Sequence, residues 1–183
     1  MWTWLTSTRP ERRRDRLIVA TVEDRYRAPA RMPEPAVCLG CKAVYRKGRW
    51  QWLPQAPSSA VGLVCQACRR ARDGFPAGTM TICGEFARQH EDEIIGLARR
   101  QAQVEQQEHP LHRIMRIQRT ADGIVITTTD IHLPRRIGEA LRRAFKGGRL
   151  ELSFQKAGYG VRATWRREEP AGAFQRGARP GRG

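Results

Sequence analysis

Cys38/Cys41 and Cys65/Cys68 form two Cys-x-x-Cys pairs separated by residues 42–64. A two-residue gap lets two thiolates turn toward one centre, and two such knuckles brought together make a tetrahedral four-sulfur cage whose usual occupant is Zn²⁺. Disulfides would need an oxidising compartment, and nothing in the chain points to export. A redox Cys-x-x-Cys usually stands alone at the start of a helix, not duplicated across a hairpin-length insert. Iron satisfies the same four-thiolate geometry, so spacing does not separate it from zinc. A closed cage leaves no open coordination position, and the expected ion is therefore structural.

Other chemistry-bearing residues point to binding. The 183 residues hold 34 Lys and Arg against 18 Asp and Glu, a net charge of +16, with a pI near 11.1. Such a chain seeks polyanions, above all nucleic acid. Arg outnumbers Lys heavily, which favours forked phosphate contacts. Candidate RNA-binding residues are Arg69, Arg70 and Arg72 beside the second knuckle. Arg135, Arg136, Arg142, Arg143 and Lys146 join them on the polar face of a predicted helix, against the single acid Glu139. Trp50 is a candidate for stacking on an unpaired base, although Trp50 and Trp52 serve equally as the small core over the metal. His90, His109 and His112 read as surface or capping residues, and the fifth cysteine, Cys83, as a small buried hydrophobe. No Ser/His/Asp set and no phosphate loop is legible, so catalysis is not expected.

Five segments must position these residues. Residues 1–33, with Arg12-Arg13-Arg14, read as a basic, mostly disordered arm able to order on a phosphate surface. Residues 34–84 make the metal module, a zinc ribbon or treble clef: knuckle, hairpin turning at Lys47-Gly48, knuckle, and a short helix ended by Gly74. Gly40 reads as the knuckle residue free to take positive φ, and Met80 to Cys83 as a short strand at the module's end. Residues 85–110 form an acidic connecting helix with Ile94, Leu97, Ala98 and Val104 as its apolar stripe, stopped by Pro110. In 111–167, strands at 112–120 and 124–129 join at Asp122-Gly123, a strong hairpin signal. Asp130 caps a helix over 131–146 with the stripe Leu133, Ile137, Leu141, Ala144 and Phe145. Two alternating strands follow, 150–155 and 161–166, turning near Gly158. The fold class is thus α+β, a zinc module followed by a helix and a ββαββ antiparallel sheet whose apolar face carries the helix. Residues 168–183, Gly/Arg/Pro-rich, are expected to be a disordered tail. The polar sheet face offers no aromatic pair, which argues for backbone and shape recognition over base stacking.

The run Glu34-Pro35, Cys38-x-x-Cys41, Gly48-Arg49-Trp50-Gln51-Trp52 and Cys65-x-x-Cys68-Arg69-Arg70-x-Arg72-Asp73-Gly74-x-Pro76-x-Gly78 resembles a bacterial zinc-ribbon family. That family is related to the archaeal and eukaryotic large-subunit export adaptor, the nonsense-mediated-decay adaptor. His109-Pro110-Leu111-x-Arg113-Ile114, Thr127-Thr128-Thr129-Asp130-x-His132-Leu133 and Ile137-Gly138-x-Ala140-Leu141 are similar too, so the likeness spans about residues 33–167. It implies zinc on Cys38, Cys41, Cys65 and Cys68 and contact with ribosomal RNA. The adaptor's further domains and export-signal tail have no counterpart here, so the implied role is on the ribosome or its large subunit, in assembly, dormancy or quality control.

The reading that emerges is a non-catalytic, zinc-binding, RNA-binding protein without a small-molecule substrate. A zinc-ribbon DNA-binding regulator is the weaker alternative, since no helix-turn-helix or finger spacing is present. A protein–protein adaptor docking through the acidic helix is another. No apolar run approaches the 18 residues of a membrane span, and Met1 to Leu5 is too short for a signal core, so the expected location is cytoplasmic.

Overall fold

The computed structural model describes residues 24–154 and 159–168; residues 1–23, 155–158 and 169–183, with the first part of the basic arm, the turn near Gly158 and nearly all of the tail, lie outside. The metal module comprises β1 (Ala36–Cys38), β2 (Val44–Arg46), β3 (Arg49–Gln51), β4 (Val61–Leu63) and α1 (Gln66–Arg72). Its sheet runs β3-β2-β1-β4. The β2–β3 turn places both Lys47 (φ 54°) and Gly48 (φ 73°) in the left-handed region, as a two-residue hairpin matched to strand twist requires. β4 lies parallel to β1 with Leu63 opposite Cys38. That register delivers Cys65 two residues beyond the partner of the first cysteine, which brings the two pairs together.

α1 ends as its sequence indicates. Gly74 takes φ 63° just past the helix, and the Phe75 amide returns to the Arg70 carbonyl at 3.1 Å. Of residues 24–33, assigned from composition to the disordered arm, Asp24, Tyr26 and Met32 contact this helix. Tyr26 is buried, and its hydroxyl donates to Asp73 Oδ2 at 3.0 Å.

The second module has β5 (Gly78–Cys83), α2 (Glu85–Gln89), α3 (Glu91–Glu108), β6 (Ile114–Thr120), β7 (Gly123–Thr128), α4 (Leu133–Ala144), β8 (Gly148–Phe154) and β9 (Val161–Arg167). The ββαββ arrangement is present, and a fifth strand completes it. β5, placed by the sequence in the metal module, is the centre of the order β6-β7-β5-β9-β8. It pairs antiparallel with β7 and parallel with β9, so the sheet is mixed and the module begins at Gly78. The reason is its apolar alternation. Gly78, Met80 and Ile82 are buried on one face, and without a strand between them the two hairpins would each leave an open inner edge.

The three helices cover that same face. Met80, Ile82, Ile124, Ile126, Ala163 and Trp165 from the sheet pack with Phe86, Ile94, Ala98, Leu133, Ile137 and Leu141 from the helices. Burying each large side chain contributes about 1.5–3 kcal/mol. Trp165 fits because Gly148 has no Cβ, which would stand 2.3 Å from the indole. The acidic helix is two helices, broken at His90 (φ −118°, ψ 28°). Val104 and Ala144, assigned to apolar stripes, are exposed. Asp130 does cap α4: its Oδ1 accepts from the His132 and Leu133 amides at 2.7 and 2.8 Å. Among the described residues no helix is long and apolar enough to cross a membrane.

Candidate metal centre

The knuckle after β1 supplies Cys38 and Cys41, and the start of α1 supplies Cys65 and Cys68. Knuckle, hairpin and helix in this order are the treble-clef arrangement. Cys38 Sγ lies 3.7 Å from Cys68 Sγ, Cys41 Sγ lies 3.8 Å from Cys65 Sγ, and all four sulfurs fall within 4.8 Å of one another. Four sulfurs at about 2.3 Å from one ion form a tetrahedron with edges near ~3.8 Å, so the cluster is compatible with a structural zinc site. The donors are not preorganised by sulfur chemistry alone. The Cys41 and Cys65 amides point to Cys38 Sγ at 3.5 and 3.3 Å, and the Cys68 amide to Cys65 Sγ at 3.4 Å. Cys65 is also the N-terminal cap of α1, where the helix dipole favours a thiolate.

Sulfurs this close repel one another as thiolates. The Cys65 thiol is raised, first by its hydrogen bond to Cys41, which in turn brings Cys41 down to about 4. Burial pushes Cys68 up, and the Arg113 guanidinium opposes it. A bound divalent cation relieves that repulsion for the whole set.

Gly40 has a different role from the one its sequence position suggests. The positive φ falls on Lys42 (66°), whereas a Cβ on Gly40 would meet Cys68 Sγ at 3.1 Å. The glycine lets the knuckle backbone approach the opposite ligand.

Arg113, which precedes β6 in the second module, reaches across and donates through Nη2 to Cys65 Sγ and Cys68 Sγ, each at 3.4 Å. Burial alone would lower its pKa, but the hydrogen bond to Cys68 and the field of the other sulfurs raise it. A divalent ion in a four-thiolate cage leaves negative charge in excess, and this guanidinium offsets part of it. Trp52 makes a second tie, its indole N–H donating to the Gln106 carbonyl of α3 at 2.7 Å. No spacing rule finds Arg113, which lies 45 residues beyond Cys68.

The predicted RNA-binding residues divide. Arg70 is corrected: it is 2% exposed, paired with Asp24 Oδ1 at 2.5 Å and set 4.4 Å from the Tyr26 ring centroid, so it pins Asp24 and Tyr26 to α1. Arg69 is half-buried and donates to the Tyr26 carbonyl at 3.3 Å. Arg72 remains exposed beside Asp73. Trp50 is likewise corrected: it is buried against Tyr45, Cys38 and Cys65, as the cover of the metal site rather than a stacking platform. Arg135, Arg136, Arg142 and Arg143 of α4, and Lys146 just past its end, are all exposed. Arg135 pairs with Glu139 at 2.8 Å and Arg136 with Glu105 at 3.0 Å. Arg142, Arg143 and Lys146 pair with no carboxylate among the described residues. Cys83 is half-exposed rather than buried.

Sequence reasoning missed a polar junction where α3 meets the start of α4. His112 Nδ1 stands 3.9 Å from both Glu105 Oε1 and Asp130 Oδ1, and its ring is 4.8 Å from His109 and 5.6 Å from His132. Burial foremost, then the neighbouring His109 and His132, brings His112 down to about 4, so it is neutral near pH 7. Among the described residues only the four cysteines are close enough to share one ion.

No family model, curated protein or solved structure matches this chain.

Proposed function

We propose that this chain is a non-catalytic, zinc-stapled RNA-binding protein that acts on the ribosome or its large-subunit precursor, in the manner of the adaptor-related family its cysteine and His-Pro-Leu-x-Arg motifs resemble. The observation that carries the reading is the exposed, acid-free base cluster Arg142, Arg143 and Lys146 at the end of α4, in a chain of net charge +16. Helical faces usually mix signs, and an unpaired basic run on one side is suited to phosphates. Zinc fits the four thiolates as a closed structural ion, which leaves the metal no substrate position. The protein–protein reading of the acidic helix is less favoured, since Ile94, Ile95, Ala98 and Ala102 of α3 are already spent on the core.

The test is sedimentation of the cellular protein. It is expected to travel with ribosomal fractions and to leave them on RNase treatment. Replacing Arg142, Arg143 and Lys146 with Gln should weaken RNA binding and flatten its salt slope by about 1 per lost phosphate contact. Retention on DNA in place of ribosomes would favour the regulator instead.

A further inference from the structure

The face of the five-stranded sheet opposite the helices is bare among the described residues, and its register arranges it in rows. One row crosses Arg116, Thr127, Thr79, Arg162 and Ser153. The next runs Gln118, Val125, Thr81, Thr164 and Glu151, with the two threonines side by side on β5 and β9. In the third, Cys83 adjoins Arg166, which adjoins Arg149. All four arginines are exposed, and none pairs with a carboxylate among the described residues. Glu151 is the one acid on the three rows, and no aromatic side chain stands on them. A shallow cavity of about 430 Å³ opens there, lined by Arg149, Thr164 and Arg166 together with Glu151 and Glu168.

Two arginine-bearing rows therefore flank one that presents the paired hydroxyls of Thr81 and Thr164. They lie four residues apart along the strands, about 13 Å, and the five strands span about 19 Å. This is the complement of a wide, shallow groove with phosphates on both rims and hydroxyls on its floor. Double-stranded RNA presents such a groove on its minor side, with 2′-hydroxyls in the floor. Threonine hydroxyls both donate and accept and suit that partner, while guanidiniums fork onto phosphate. Single-stranded RNA would call for stacking aromatics, which this face lacks.

We infer that the open sheet face, with Arg116 and Arg162 on one rim and Arg149 and Arg166 on the other, docks the minor groove of an A-form RNA duplex. The inference rests on the RNA-binding reading above and names the RNA's form and a second surface for it, on the side of the sheet away from α4.

The experiment measures anisotropy of the full-length protein with a labelled RNA duplex, a DNA duplex of the same sequence and one RNA strand, across a salt series. The expected order is RNA duplex tightest. R116Q/R149Q/R162Q/R166Q should lose tenfold or more for that duplex, with its salt slope reduced by about 3–4. T81V/T164V should erase the preference for RNA over DNA while keeping the slope. Unchanged metal content and melting temperature verify folding of each variant, and the edge-strand singles R116Q and R149Q stand in should the quadruple variant fail to fold. Wild-type binding to RNA that survives the quadruple variant, or equal affinity for all three probes, overturns this face and leaves the RNA reading intact. No RNA binding by the wild type overturns both.

Discussion

At the scale of single residues, Arg113 and His112 show how charge is handled at the junction of the modules. Arg113 gives two N–H···S contacts to thiolates whose repulsion it offsets. Hydrogen bonds to charged groups are worth about 1.5–3 kcal/mol, so Arg113→Gln should lower stability by roughly 2 kcal/mol. Metal retention against a chelator should fall about 10–100-fold, as for other partners of ligating groups. Urea melts and chelator competition check both, and a variant indistinguishable from wild type would remove Arg113 from the metal site's support. His112, held neutral to about 4, binds its proton more readily in the unfolded chain. Its contribution is therefore complete above the ordinary histidine range and declines as pH falls from about 6.5 toward 4, by up to about 1.4 kcal/mol per unit. Asp130, raised first by burial, works in the opposite sense, its contribution declining as pH rises above its ordinary value. His112→Gln should flatten the stability–pH profile between pH 5 and about 6.5; a profile as steep as wild type would assign the dependence elsewhere.

At the scale of elements, the decisive one is β5. Its residues alternate between core and open face, and among the described residues it is the only strand touching both hairpins. Gly78, at its start, is packed on three sides: an added Cβ would meet Thr128 Oγ1 at 2.4 Å, Pro134 Cγ at 2.5 Å and the Asp130 carbonyl at 2.6 Å. These belong to β7 and to the cap of α4, which cannot move independently. Gly78→Ala should destabilise the protein by about 2–3 kcal/mol, the range of overpacked cores. Gly62→Ala in β4, where the nearest atoms are the tip of the exposed Leu39, should stay within about 0.5 kcal/mol. Equal effects in thermal or urea melts would contradict the central role given to β5.

At the scale of the whole molecule, two modules of different character share one interface. The sheet module has a core of its own, drawn entirely from residues beyond 79, while the small cluster of the metal module includes its ligands. A unit that small depends on its ion to fold. Chelation should therefore abolish amide-exchange protection in 34–76 and preserve it in β5, β7 and β9. Protection lost everywhere together would mean that Arg113 and Trp52 couple the modules into one cooperative unit.

Much of this was legible along the chain. The Cys-x-x-Cys spacing, the Asp122-Gly123 turn, the Asp130 cap and the alternations of β8 and β9 are local signals, because backbone geometry imposes them within a few residues. The four-cysteine cluster and the ββαββ order follow from such signals. Tertiary structure alone decided the rest. It moved β5 to the centre of the second sheet, turned Arg70 and Trp50 inward, and carried Arg113 to the sulfurs. A strand's partner and a long side chain's direction depend on which surfaces are left to cover, and that is set by packing between distant segments, not by neighbours in sequence.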